Sequence, residues 1–227
     1  MLRDTALAAG ETYHVYNRGA HKQAIFTSDS DYTRFSLLLY LSNAKESVHL
    51  SNLLPKYQGR SSVEMFQSET SEKSLVDVLA YCLMPNHFHL VLQQKTDDGI
   101  TKFMRKVATG YSMYFNTKYE HSGVLFQGRF KSSHIDSEAY HRYIFSYVHL
   151  NPIGLVEPAW EERGIRAPEK VRKFLRGYPH SSFYDYSVGK RPEMAILALD
   201  KAPDFLKEQD DLEEMLKDFR KNRLLHN

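Results

Sequence analysis

The segment LVDVLAYCLMPNHFHLVL, residues 75–92, contains two apolar, β-forming runs on either side of Pro85 and Asn86. Proline disfavours helix in the residue before it and asparagine tolerates unusual backbone angles, so this dipeptide predicts a tight turn. The two runs are therefore predicted to be neighbouring strands of a hairpin. Because side chains alternate along a strand, His87 and His89 should share one face while Phe88 points the other way into a core.

Outward from this hairpin, the sequence alternates between strand and helix patterns. The predicted elements are a strand at 11–18, a helix from the N-cap chemistry at 28–31 to about 45, the strands at 75–84 and from 87, a helix at 100–119, a short strand within 123–135 and a helix at 139–150. The order β-α-β-β-α-β predicts an α+β fold of the ferredoxin-like split βαβ type, with a central antiparallel sheet. Helices are expected on one face of that sheet, which leaves the other face for a site.

Two segments lie outside this pattern. Residues 48–74 are mostly polar and are predicted to form a long loop or partly ordered insertion. After Pro158 the chain becomes charged, so we predict one domain over residues 1–158 and a mainly helical extension over residues 159–227.

The composition excludes several classes of protein. The 227 residues are 42% hydrophobic and carry a formal net charge of only +2, so a basic, nucleic-acid-binding surface must be local. The single Cys82 rules out a disulfide framework within the chain. No apolar run is long enough to span a membrane, and the first ten residues do not resemble a signal peptide. We therefore expect a cytoplasmic protein with no membrane partner.

The residues with catalytic chemistry lie on the hairpin and on the helix that ends at Pro152. Two histidines on one face of a strand suit a divalent metal, and the amide oxygen of Asn151 would be a third ligand for Mg²⁺ or Mn²⁺. Tyr147 lies one turn before Asn151, and a phenolate there could attack a phosphodiester. The alternatives are two hydrogen-bonded surface histidines, a Tyr147 that only packs, and an Asn151 that only caps its helix.

Basic residues and aromatic rings alternate between residues 99 and 134, which is typical of single-strand binding but also of a solvated helix face over ordinary core rings. The predicted DNA-binding residues, including two at the end of the first strand, are Asn17, Arg18, Lys102, Arg105, Lys106, Arg129 and Lys131.

Four motifs occur in order: YHVYNRG at 13–19, MPNHFH at 84–89, LFQGRFK at 125–131 and YVHLNP at 147–152. Together they resemble the single-tyrosine HUH transposases, whose name denotes His-hydrophobe-His, and above all the REP-associated tyrosine transposases. The resemblance covers roughly residues 12–151. It implies that His87, His89 and Asn151 hold a divalent metal, and that Tyr147 attacks single-stranded DNA beside a hairpin, leaving a 5′-phosphotyrosine and a free 3′-OH.

Other interpretations stay open at this point. The chain could be a catalytically silent regulator that binds hairpin DNA, a rolling-circle replication initiator or relaxase, or a hydrolase that uses a metal-bound water. Tyr143 lies one turn before Tyr147 and is a rival nucleophile. The sequence leaves open whether the protein is a monomer or a homodimer.

Overall fold

The computed structural model describes residues 6–44, 74–207 and 212–223. Its strands are β1 (Thr12–Arg18), β2 (Val76–Met84), β3 (His87–Gln94) and β4 (Lys131–His134). Its α-helices are α1 (Asp29–Leu41), α2 (Gly99–Tyr119), α3 (Glu138–Leu150), α4 (Trp160–Arg163), α5 (Pro168–Gly177), α6 (Phe183–Ser187), α7 (Asp204–Lys207) and α8 (Leu212–Arg223). The loop predicted over residues 48–74 lies outside the described residues, apart from Ser74.

The strands form one antiparallel sheet in the order β2-β3-β1-β4. This is the strand order of a split βαβ fold, so the predicted α+β class and the predicted hairpin are confirmed. One predicted bound differs by more than a residue, since helix α1 ends at Leu41 rather than near residue 45. The short strand predicted within residues 123–135 is β4.

One face of the sheet is covered by α1 and α2, as predicted. Phe88, Leu90 and Leu92 from β3 pack there against residues of both helices, including Phe35 and Phe103. All of these side chains are essentially inaccessible to solvent. The alternation of β3 therefore directs its apolar residues to this core and its histidines to the opposite face.

The prediction that the second face is free is wrong for much of its area. Helix α3 and residues near Tyr178 pack over Ala80, Cys82 and Val91. The reason is visible in β2, where all nine residues are buried. Apart from Asp77 its side chains are apolar or aromatic on both sides of the sheet, so both faces must be covered. Only the part of this face formed by β1 and the start of β3 carries polar rings.

The carboxyl-terminal extension packs directly on the sheet and on α3. The backbone of Leu83 donates to His180, and that of Ser182 donates to Tyr81, which extends the sheet beyond β2. A third apolar cluster joins Leu150 with Phe219 of α8. Hydrophobic contacts thus cross the boundary predicted at Pro158. Within the described residues, none of the helices combines the length and the apolar character needed to cross a bilayer.

His141 on α3 gives a pH-dependent test of this packing. Burial beside Phe145 and Phe205 lowers the pKa of His141 from 6.5 to about 4, although Glu138 acts in the opposite direction. Between these pH values the unfolded chain takes up a proton that the folded chain does not, so the free energy of unfolding falls as the pH is lowered.

We expect His141→Gln to reduce the slope of unfolding free energy against pH, by up to about 1.4 kcal/mol per pH unit between pH 6.5 and pH 4. Urea denaturation across that range measures this slope. A slope equal to that of the wild type would contradict the assignment.

Candidate active site

The two histidines of β3 lie at the start of the strand, beside the hairpin turn. The ring centroids of His87 and His89 are 5.0 Å apart, so the two rings share one face of the sheet. The turn before them is held by the backbone N–H of Gly19, which donates to the carbonyl oxygen of Asn86 at 2.8 Å. A Cβ at Gly19 would lie 2.2 Å from the carbonyl oxygen of Gln23, so this close approach requires glycine.

Helix α3 brings Tyr147 and Asn151 to the same place. The helix begins at the N-cap Ser137, whose hydroxyl accepts from the backbone N–H of Tyr140, and it runs across the second face of the sheet. At its end, Oδ1 of Asn151 lies 3.2 Å from Nε2 of His87. The ring of Tyr147 meets that of His89 edge-on, with centroids 5.2 Å apart. The four residues singled out in the sequence are therefore neighbours.

A third histidine, His14 of β1, belongs to the site and was missed in the sequence analysis. Its Nε2 lies 2.8 Å from Nδ1 of His89, and the two rings are stacked. In the β1–β3 register Tyr16 is opposite His89, so His14 is the diagonal neighbour of His89 on the same face. The signal in the sequence was the alternation of His14 and Tyr16, but it has meaning only once β1 is known to pair with β3.

His14 and His89 are buried and His87 is partly buried, and burial suppresses the protonation of all three imidazoles. Burial lowers the pKa of His14 to about 4, and it lowers the pKa of His89 well below 6.5. Burial lowers the pKa of His87 to about 4 as well. Arg18 adds to the effect, and the hydrogen bond that a protonated His87 would donate to Asn151 opposes it. The rings are therefore neutral at pH 7, which is the form in which histidine binds metals.

The atoms between His87 and Asn151 suit a cation. The side-chain NH₂ of Asn86 donates to the carbonyl oxygen of Lys22, so its Oδ1 accepts the N–H of His87 at Nδ1, 2.6 Å away. Nε2 of His87 then carries a lone pair that faces Oδ1 of Asn151. Two acceptors in this arrangement repel each other unless a cation lies between them. Their 3.2 Å separation is close to the roughly 3.0 Å edge of an octahedral Mg²⁺ site.

The donor set is nitrogen and amide oxygen rather than carboxylate. Among the residues that the structure describes, no group of three His, Cys, Asp or Glu side chains could hold a metal ion. His87, His89 and Asn151 would therefore be the protein ligands, with His14 holding the ring of His89 from behind. With Nδ1 of His89 as the donor to His14, its Nε2 lone pair is available to a metal.

Tyr147 is protonated in this environment. Burial raises the pKa of its phenol to about 12, the charge of Glu161 adds to this rise, and a hydrogen bond with Asn151 opposes it. A group with this pKa must lose its proton as it attacks, so a nearby positive charge would lower the barrier.

Two clefts meet at His87 and Tyr147. The first, of about 490 Å³, is bordered by the positive side chains of Arg18, Arg129 and Lys131. The second, of about 650 Å³, extends past Asn151 towards Glu161 and Glu162.

Asn17 shapes the first cleft. Its amide donates to the carbonyl oxygen of Gly128 at 3.0 Å, and its Oδ1 accepts from the backbone N–H of Arg18 at 2.8 Å. Asn17 thus ties the end of β1 to the loop that carries Arg129.

The structure does not bring the basic residues of α2 to this site. The apolar side of α2 packs on the opposite face of the sheet from the histidines. Nζ of Lys102 donates to the carbonyl oxygen of Asp97, and Nζ of Lys106 donates to that of Ala44. Arg105 is exposed on the same helix. Of the predicted DNA-binding residues, Asn17, Arg18, Arg129 and Lys131 line the first cleft, while Lys102, Arg105 and Lys106 lie away from it.

Tyr143, the rival nucleophile, is placed differently from Tyr147. Its ring stacks on Phe219 of α8 at 5.5 Å and on Tyr147 at 6.2 Å. Among the described residues that line the two clefts, Tyr147 occurs in both and Tyr143 in neither.

Comparison with known proteins shows what this chain is similar to. Residues 51–151 match the family model "Transposase IS200 like". Among solved structures, the fold is similar to a REP-associated tyrosine transposase bound to a REP hairpin (13% identity, TM-score 0.47, 90% of this chain and 92% of that chain). It is also similar to a tRNA(His) guanylyltransferase from Saccharomyces cerevisiae (12% identity, TM-score 0.37, 91% of this chain and 86% of that chain).

No curated protein matches the sequence. The family match contains both histidines of β3, Tyr147 and Asn151, so the predicted resemblance to transposases is confirmed. Residues 51–151 of this chain are thus similar to the IS200-like transposases.

Proposed function

We propose that this protein is a metal-dependent, single-stranded DNA nickase and strand transferase of the REP-associated type, which forms a 5′-phosphotyrosine intermediate at sites beside DNA hairpins. The observation that carries the proposal is the convergence of Tyr147, His87, His89 and Asn151 where the two clefts meet. A DNA strand lying along both clefts would present one phosphate to all four side chains.

In the proposed step, Oη of Tyr147 forms a bond to phosphorus and the bond from phosphorus to the 3′ oxygen breaks. The phenol loses its proton, and the leaving oxygen takes up a proton to become a 3′-OH. Attack by another 3′-OH reverses the step and rejoins the strands, so the bond energy is conserved and no high-energy cofactor is needed. The reaction is therefore a strand transfer, because the phosphodiester bond is exchanged rather than hydrolysed.

A divalent ion, Mg²⁺ or Mn²⁺, would polarise the scissile phosphate and stabilise its developing charge. His87, His89 and Asn151 would hold this ion, and His14 would fix the orientation of His89. Arg18, Arg129 and Lys131 would hold neighbouring phosphates in the first cleft, where cationic side chains lie within one pocket. The basic residues of α2 lie on the opposite face of the sheet and would not contribute to this contact.

The test uses labelled hairpins with randomised single-stranded flanks, incubated with Mg²⁺ or Mn²⁺ and run on a denaturing gel. DNA labelled at its 3′ end should shift to a protein adduct that protease removes. DNA labelled at its 5′ end should give a shorter product with an extendable 3′-OH. EDTA should abolish both products.

Two outcomes would contradict the proposal. Cleavage without an adduct would indicate a hydrolase that uses a metal-bound water. Hairpin binding without cleavage, with both metals and across the library, would indicate a DNA-binding regulator.

A further inference from the structure

The exposed side of helix α5 carries a concentration of positive charge that the active site does not use. Its ten residues contain Lys170, Arg172, Lys173 and Arg176 against the single acid Glu169. The net charge of this helix, +3, exceeds the +2 of the whole chain. The rest of the protein is therefore slightly acidic in formal charge, and α5 is a local basic surface.

Buried side chains fix which side of α5 faces solvent. Val171 and Leu175 are buried in the cluster that contains Leu150 and Ile153, so the apolar side of the helix faces the protein. The segment that leads into α5 is held by the carboxylate of Glu157, which accepts hydrogen bonds from the backbone N–H groups of Arg166 and Ala167 at 2.8 and 2.9 Å. Lys170 and Lys173 consequently face solvent.

This surface lies on the catalytic side of the molecule. Helix α5 shares its apolar cluster with Trp160, which lines the second cleft beside Asn151. The basic residues of α2, by contrast, are on the opposite face of the sheet, and two of them are engaged by backbone carbonyl groups.

The chemistry of α5 indicates which part of a DNA hairpin it would contact. Binding of unstacked bases needs exposed rings on which they can stack. The one ring on this helix, Phe174, is half-buried against the second apolar cluster. Cations without exposed rings suit the phosphate backbone of a duplex, which is bound without regard to sequence.

We infer that α5 binds the phosphate backbone of a duplex DNA stem next to the active site, while the first cleft receives single-stranded DNA. This inference rests on the proposed function, because it names the surface that would hold the hairpin of the same substrate. The residues that carry it are Lys170 and Lys173, with Arg172 and Arg176 on the same helix.

The test compares two double variants that remove equal charge. Lys170→Gln/Lys173→Gln changes α5, and Lys217→Gln/Lys221→Gln changes exposed lysines of α8. Binding is measured by fluorescence anisotropy between 50 and 300 mM salt, with EDTA present so that no cleavage occurs. The probes are a hairpin with a single-stranded flank and the flank alone, and circular dichroism checks that both variants are folded.

For the α5 variant we expect the slope of log affinity against log salt to fall by about 1 for each lysine on the hairpin probe. Hairpin affinity should drop roughly tenfold or more at 0.1 M salt, and equally for two stems of different sequence. Affinity for the flank alone, and all values for the α8 variant, should stay within about twofold of wild type.

An unchanged salt slope for the α5 variant, or an equal loss on the flank alone, would overturn the inference. Equal losses in both variants would also overturn it, because they would show a general charge effect. Failure of the wild-type protein to bind either probe would instead overturn the proposed function.

Discussion

Tyr147→Phe should abolish the covalent protein–DNA adduct and strand cleavage, with a loss of roughly three orders of magnitude or more. The substitution removes only the hydroxyl group, which is the proposed nucleophile. The ring would keep its contacts with His89 and with Phe219, so the site should retain its shape. Hairpin affinity should therefore stay within a few-fold of wild type.

Tyr143→Phe is the matched control for this variant. The two tyrosines lie on neighbouring turns of the same helix and stack on the same residue, Phe219. Adduct formation should survive in Tyr143→Phe because that ring lines neither cleft in the described part of the chain. An adduct that is lost in Tyr143→Phe but present in Tyr147→Phe would transfer the nucleophile to Tyr143. Loss of hairpin binding in Tyr147→Phe would point to a structural role instead.

His89→Ala should remove measurable Mn²⁺ binding and, with it, metal-dependent cleavage. The substitution deletes one of the two proposed nitrogen ligands, and the remaining His87 and Asn151 would offer only a two-atom site. Isothermal titration with Mn²⁺ in the absence of DNA measures this directly, so the result does not depend on activity. His134→Gln is the control, because this histidine is on β4 and pairs with Glu11. It should leave Mn²⁺ affinity unchanged.

The same titration tests the role of His14. His14→Leu replaces the buried imidazole with an apolar side chain and removes the acceptor for Nδ1–H of His89, so the ring of His89 can turn and shift its tautomer. Loss of such an outer partner typically costs 10- to 100-fold in metal affinity, and we expect a loss in about that range. His14→Gln restores an acceptor and should recover part of it. Equal Mn²⁺ affinity in wild type and His14→Leu would show that His14 only packs.

The three apolar clusters explain why the site is preorganised. The histidines are on a strand buried on its other face, and Tyr147 is on a helix clamped between the sheet and α8. Functional groups on such rigid elements are held more precisely than groups on loops. Only Arg18, Arg129 and Lys131, at the rim of the first cleft, are on an exposed strand end or loop.

The sequence by itself determined the local features of this protein. The hairpin around Pro85 and Asn86, the shared face of His87 and His89, and the one-turn spacing of Tyr147 and Asn151 all follow from the period of a single strand or helix. The ordered motifs also indicated the resemblance to transposases that the match over residues 51–151 confirms. These predictions needed no knowledge of which elements become neighbours.

Only the tertiary structure decided which side chains meet. The antiparallel pairing of β1 with β3 places His14 behind His89, and the packing of α3 on the second face places Asn151 beside His87. The same topology carries the basic residues of α2 to the opposite face and leaves α5 on the catalytic side. The periodicity of a sequence shows which side of one helix or strand is apolar. Which element packs against that side depends on the strand order and on the need to bury both faces of the sheet.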